Sequence, residues 1–402
     1  MSDIDFLLSP LAVRARARKI FDWTTEGRGY FSYNPARLDW TVNYVLDVIK
    51  KNYPDLNIPF HSRWGHFRVG GIDRVVALKE KIAPLDPLEQ ARIQLDLVVP
   101  SVLLDAGAGE AWKFNEASSG KEFTRSEGLG VASLELFLSG TLSSDGTSLR
   151  ADAAGLSKVQ PETIAKAFQV SDSNPLIGVE GRAQLLRNLG HAVTNSAIFP
   201  GGRPGGILDS LMAVHGKKIP APALLRAVLN GLGSIWPGRV RLDGINLGDV
   251  WRHNGLAKFE TASIESLVPF HKLSQWMTYS LIEPIESAGC EVTDVEKLTG
   301  LAEYRNGGLM IDAGLITLKD PKLADKAWTP DSDLIIEWRA LTIYLLDEIG
   351  TRVQTALERP ASEFPLAKVL EGGTWWAGRF LAKEKREGGN PPLQIQSDGT
   401  VF

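Results

Sequence analysis

The sequence predicts a mainly α protein, a large multi-helix globular fold with few short strands. Apolar residues recur at helical spacing in several long windows, strict two-residue alternation is scarce, and prolines and glycines punctuate the chain between periodic stretches. Leu38 to Tyr53 places Val42, Val45, Leu46 and Ile49 on one face. Leu88 to Val99 repeats that pattern behind Pro87, a residue suited to the first helical position. Between them, His61-Ser62-Arg63-Trp64-Gly65-His66-Phe67-Arg68 is polar, aromatic and aperiodic, the composition of a loop that carries function. Further helices are expected over Gly128 to Leu138, Glu180 to Ala192 and Phe270 to Ile285, the last with its pattern ended by Pro284. Leu334 to Val353 is apolar on more than one side, which predicts a buried central helix.

The chain has 402 residues, 44% apolar and 23% charged, enough for a sizeable core. Length allows two or three domains or one large one. With no internal repeat and no clear linker, residues 1–385 read as a single helical catalytic domain, with 139–155 an exposed excursion and 386–402 a C-terminal tail. Lys plus Arg number 44 against 48 Asp plus Glu, a net charge of −4, which offers no general pull on nucleic acid. A local arginine cluster would still suffice for a small anion. Cys290 is the only cysteine, so neither an intrachain disulfide nor a cysteine metal cluster can form. Asp3 and Asp5 precede the short apolar stretch from Phe6 to Leu8, against the order of a secretory signal. No uncharged apolar run approaches membrane-spanning length. The expectation is a cytoplasmic protein with a small-molecule partner.

Val102-Leu103-Leu104-Asp105-Ala106-Gly107-Ala108-Gly109 imitates the strand and Gly-rich turn of a methyltransferase that binds S-adenosylmethionine. Ala111 stands where the third glycine belongs, Pro100 lies just upstream, and no alternation of strands and helices follows. A tight turn presenting Asp105 and Trp112 is the better reading. His61 and His66 are five residues apart, which does not match the helical zinc spacing, and no His-x-His, Gly-x-Ser-x-Gly or phosphate-loop run occurs. No metal site is expected.

The informative anomaly is the recurrence of charged residues inside segments that otherwise look buried. Phe270-His271-Lys272-Leu273-Ser274-Gln275 opens a core-like helix, and Leu298-Thr299-Gly300-Leu301-Ala302 leads into Glu303, Tyr304 and Arg305 ahead of a Gly307-Gly308 turn, with Asp312 close behind. Glu337 and Arg339 set opposite charges in the presumed central helix and read as a structural ion pair near the site.

Arg125-Ser126-Glu127-Gly128-Leu129, Gly178-Val179-Glu180-Gly181-Arg182, Pro269 to Trp276 and Glu303 to Gly308 resemble hallmark runs of a uracil-catabolism family long filed as a domain of unknown function. The resemblance covers nearly the whole chain. It implies a pathway in which uracil becomes a nucleotide, the ring is opened, and urea is left on ribose; cleavage of ribosylurea is the step suited to this family. A more distant similarity, in the order Phe270-x-Lys272-x-x-Gln275, Leu298-Thr299-x-x-Ala302-Glu303-Tyr304-Arg305 and Glu337-x-Arg339-Ala340, points to queuosine-nucleotide N-glycosylases. Those are all-helical proteins distantly similar to helix-hairpin-helix glycosylases.

Their catalytic aspartate falls at Glu303, whose longer side chain moves its oxygens by about 1.5 Å, one C–C bond. The resemblances imply Glu303 as the carboxylate under the sugar cation, with Asp312 in reserve, and His271 as general acid. If the substrate carries a 5′-phosphate, Lys272 and Arg305 are natural clamps, with Gln275 and Tyr304 in the same binding motifs. Arg125 and Ser126 would add donors at a helix start, Asp105 or Glu127 would bind ribose hydroxyls, and Trp112 or Trp276 would cover the sugar. No cofactor is implied. The alternatives are a non-catalytic nucleotide-binding or regulatory protein of the same pathway and, behind it, the S-adenosylmethionine-dependent methyltransferase.

Overall fold

The computed structural model describes residues 2–105, 107–236, 239–259 and 263–396. Among these, seventeen α-helices dominate and the strands form only two-stranded ribbons, so the protein is mainly α. No helix among the described residues is long and apolar enough to cross a membrane. The chain gathers into two compact units. One comprises Met1–His61, Gly238–Gln275 and Asp294–Val401; the other comprises Ser62–Pro237 and Trp276–Thr293.

The first unit is built on the helix Asp333–Ala356, buried along most of its length as its two-sided apolar pattern predicts. The helices Pro10–Thr25, Leu38–Asn52 and Tyr304–Asp312 pack against it. Ser9 caps the first of these through the Ala12 N–H, with Pro10 at the first helical position. Val42, Val45 and Ile49 form the buried face of the second. Gly307 and Gly308 were expected to turn the chain, yet both lie inside Tyr304–Asp312. The reason is packing. A Cβ on Gly307 would stand 2.8 Å from the Trp338 ring, whose Nε1 donates to the Gly307 carbonyl at 2.9 Å. On the other side, Trp375–Lys385 approaches so closely that a Cβ on Gly378 would lie 2.1 Å from the Arg305 carbonyl oxygen.

In the second unit, Pro87–Leu103 starts on Asp86, which accepts from the Leu88 and Glu89 N–H groups. It packs against Arg125–Leu138 and Val179–Ala192. Val102 and Leu103 belong to the helix, so the strand that a methyltransferase turn requires is not there. Within 139–155 only the middle is an excursion: residues 144–148 are exposed, whereas Leu142 and Ala151 are buried. The polar stretch after His61 is not an open loop, since Arg63–Gly71 winds into 3-10 turns that bury Trp64 and Phe67. The helix Lys272–Ser287 contains Pro284 rather than ending at it, and gives its residues through Gln275 to the first unit and the rest to the second. In the C-terminal stretch the short strand Gln394–Ile395 pairs in parallel with Ala327–Trp328; residues 397–402 lie outside the described residues.

The Gly378 contact leaves no room for a methyl group between two backbones. Gly378→Ala is expected to cost about 1–3 kcal/mol through overpacking, read as a lowered urea midpoint. Gly65→Ala, with nothing within 4 Å of the new Cβ, is the control.

Candidate functional site

Lys272 and Arg339, both singled out from the sequence, meet in the first unit at an aspartate that the sequence did not reveal. Val250–Arg252 pairs antiparallel with Leu267–Pro269, so that Asp249 falls opposite the residues that follow Pro269. The Asp249 carbonyl accepts from the Phe270 N–H at 2.9 Å, and its Oδ2 accepts from the Lys272 N–H at 3.0 Å. Arg339 holds the same carboxylate bidentately, at 2.8 and 2.7 Å, and the Trp251 indole donates to Oδ1 at 2.7 Å. Burial disfavours the Asp249 charge, but Arg339 above all, then Trp251 and the Lys272 N–H, hold its carboxyl well below the usual range.

This clamp fixes the start of the Lys272 helix. His271 takes a left-handed backbone, φ 49°, and its Nε2 donates to the Leu7 carbonyl at 2.8 Å. At 1% exposure, the ring anchors the N-terminal helix here. One turn on, Gln275 lies on the same helix face as Lys272. It is fully buried, and neither its amide oxygen nor its nitrogen has a hydrogen-bond partner among the described residues.

Glu303 is the N-cap of Tyr304–Asp312. Its Oε2 accepts from the Arg305 N–H at 2.8 Å and its Oε1 from the Asn306 N–H at 2.5 Å, which leaves each oxygen a second lone pair. Burial pushes the carboxyl above its ordinary value of 4.5. The two N–H groups, then the charges of Lys272 and His61, pull the other way without cancelling it. Asp312 sits at the opposite end of the helix, about 13 Å along the axis at 1.5 Å per residue. It is paired bidentately with Arg386, at 2.7 and 2.5 Å. Arg305 turns its guanidinium to the Gly389 carbonyl and over the Tyr304 ring.

Glu337 and Arg339, two apart on their helix, each take a different partner. Glu337 accepts from His253 Nε2 at 3.1 Å and from the Tyr30 N–H at 2.7 Å, beside Gly29, where a Cβ would lie 2.5 Å from its oxygens. His61 lies in the stretch that composition marks as special but was assigned no role from the sequence. Its Nδ1 lies 2.7 Å from Glu371 Oε2, and its backbone N–H donates to the Ala367 carbonyl. Glu371 belongs to a π-helical turn, Leu370–Thr374, and also accepts from Tyr53 at 3.4 Å. Burial first, then Glu371, pushes the Tyr53 phenol up to about 12, so that it stays a donor.

The other candidates lie in the second unit. Asp105 pairs with the fully buried Arg63 at 2.9 Å, and Arg63 also donates to Ser101 at 2.7 Å and to the Ser126 carbonyl at 3.4 Å. Its guanidinium lies 5.7 Å from the Trp276 ring centre. Arg63 Nη2 and Trp276 Nε1 are buried without a partner among the described residues. Arg125 is exposed, with φ 53° at the helix start, and Glu127 is half-buried next to it. Trp112 is a core residue: it has no exposed surface, packs beside Phe114 and Phe168, and donates to the Phe168 carbonyl. Among the described residues, no group of three or more His, Cys, Asp or Glu side chains is placed to hold a metal ion.

Residues 6–402 match the family described as "Protein of unknown function (DUF1688)". The chain belongs to this family. It is 39% identical to "Uracil catabolism protein 4" of Lachancea kluyveri, over 99% of both chains. It is 38% identical to "Protein urg3" of Schizosaccharomyces pombe, over 98% of both.

The Asp249–Arg339 pair is the electrostatic support of this candidate site. Asp249→Asn leaves Arg339 buried without its counter-charge and is expected to cost about 3–5 kcal/mol, measured by urea denaturation at neutral pH. Because the folded carboxyl titrates below its ordinary value of 3.8, its contribution is present above that pH and lost as pH falls below it. The gap between wild type and variant should therefore narrow in acid.

Proposed function

We propose that this protein is a uracil-catabolism enzyme, an N-glycoside hydrolase that splits ribosylurea 5′-phosphate into urea and ribose 5-phosphate. The relatives' names support the pathway, and the chemistry of the first unit supports the reaction. Breaking a ribosyl C–N bond builds positive charge on C1′ and the ring oxygen, and a fixed carboxylate beside those atoms lowers that barrier. The observation that carries the reading is Glu303, a buried carboxylate locked in one rotamer by two backbone N–H groups, with the Lys272 charge close by. Locking means that no reorganisation is needed as the cation forms.

Gln275 supports the choice of leaving group. A buried amide without partners costs about 1–3 kcal/mol, and a ureido group offers the complementary carbonyl and N–H pair. Lys272, held at its backbone by Asp249, supplies the cation for an anionic substrate in addition to its effect on Glu303.

Free urea measured after incubation with ribosylurea, with and without the 5′-phosphate, tests the reading. Turnover should require Glu303: Glu303→Gln is expected to lose about 10²–10³-fold in kcat while still binding substrate. Binding with no urea released by the wild type would identify a non-catalytic ligand-binding protein instead. Since Glu303 acts ionised and its carboxyl is raised, the acid limb of kcat should lie above the ordinary glutamate value of 4.5. An acid limb at or below that value, recorded from pH 4 to pH 8, would remove Glu303 from the role.

A further inference from the structure

Among the described histidines near this site, His271 and His253 are committed to structure. The first donates to the Leu7 carbonyl, and the second bridges the Leu256 N–H and Glu337, each ring 1% exposed. His61 is arranged differently. Its Nδ1 faces Glu371 at 2.7 Å, and its Nε2 has no hydrogen-bond partner among the described residues, on a side chain that keeps 12% of its surface open. A carboxylate on one imidazole nitrogen fixes the tautomer and orientation, so that proton exchange falls to the other nitrogen.

The surrounding backbone ties this pair to Glu303. Thr374, the last residue of the π-helical turn that carries Glu371, donates its hydroxyl to Asn306 Oδ1 at 2.8 Å. The Asn306 N–H is the one that donates to Glu303 Oε1. Asn306, through its backbone N–H and its side-chain oxygen, therefore ties the carboxylate to the turn that holds the histidine. A positive charge on His61 would favour the ionised form of Glu303, as that of Lys272 does. Single-turn π segments are rare and are frequently found at functional sites.

We infer that His61, oriented by Glu371, is the catalytic residue that protonates the departing nitrogen in the hydrolysis proposed above, on which this inference rests. The step balances with water alone. As the C1′–N bond breaks, its electron pair goes to the ureido nitrogen, which takes the proton from Nε2 of the imidazolium. Water oxygen bonds to C1′, and the proton it sheds passes to Glu303. Neutral urea and a sugar hydroxyl leave, and His61 and Glu303 exchange their protons with solvent. Glu371 acts through His61 and is a positioning residue.

The test compares two leaving groups on the same sugar: urea, which must be protonated, and 4-nitrophenolate, which departs as an anion. His61→Gln should lose about 10²–10⁴-fold in kcat on ribosylurea and little on the nitrophenyl riboside, whereas Glu303→Gln should lose both. Imidazole added to His61→Gly should restore urea release. Glu371→Gln, which keeps the shape of the pair, should show the same selectivity with a smaller loss, and it carries the comparison if the His61 variants do not fold. Equal losses on both substrates, or no rescue by imidazole, overturn the role of His61 and leave the hydrolase reading standing. A wild type that releases no urea removes both.

Discussion

The first unit depends on one buried ion pair. Asp249 and Arg339 come from a ribbon edge and from the central helix, and their bidentate contact determines where the Lys272 helix begins. Four donors converge on the Asp249 carboxylate, which is what makes a buried charge tolerable. Lys272 and Gln275 inherit their positions from that arrangement. His271 inherits its left-handed backbone, which turns its ring onto the Leu7 carbonyl and joins the N-terminal helix to the same assembly.

Glu303 shows how one side chain can serve structure and chemistry together. Capping a helix end is an ordinary task for a carboxylate, although glutamate is not the usual residue for it. Here the cap is buried, so the group that satisfies two backbone donors also carries a charge that burial opposes. The helix end stabilises the ionised form and desolvation destabilises it. The balance leaves a carboxylate whose remaining lone pairs are held in a fixed direction.

Much of the fold could be read from periodicity, because long amphipathic helices declare themselves. The Leu38, Pro87 and Asp333 helices begin and end close to where spacing and capping residues predict. Two errors are of one kind. Gly307 and Gly308 were read as a turn and Pro284 as a stop, yet each lies inside a continuous helix; at Gly307 the Trp338 ring takes the space that a side chain would need. The charged residues of 270–305 stood out as polar positions in apolar surroundings. Asp249 gave no such signal, since it lies in a glycine-bearing stretch and its partner is ninety positions away. The segment from His61 to Arg68 was recognisable as special by composition, but the partners of His61 and Arg63 are set by long-range contacts that no local pattern records.

The wide turn at Leu370–Thr374 acts as an offset of one residue within an otherwise helical stretch. Side chains on either side of it are rotated by about 100° relative to an uninterrupted α-helix. Gly372 and Gly373 let it press onto Ile58, Val45 and Ile49, and the helix that follows seats Gly378 against the Arg305 carbonyl. Shortening the chain here by one position would either unseat that contact or swing Glu371 away from the imidazole. The length of this short segment is thus constrained as well as its glycines, and changes in chain length are better absorbed in the exposed turn that precedes the helix Leu366–Val369.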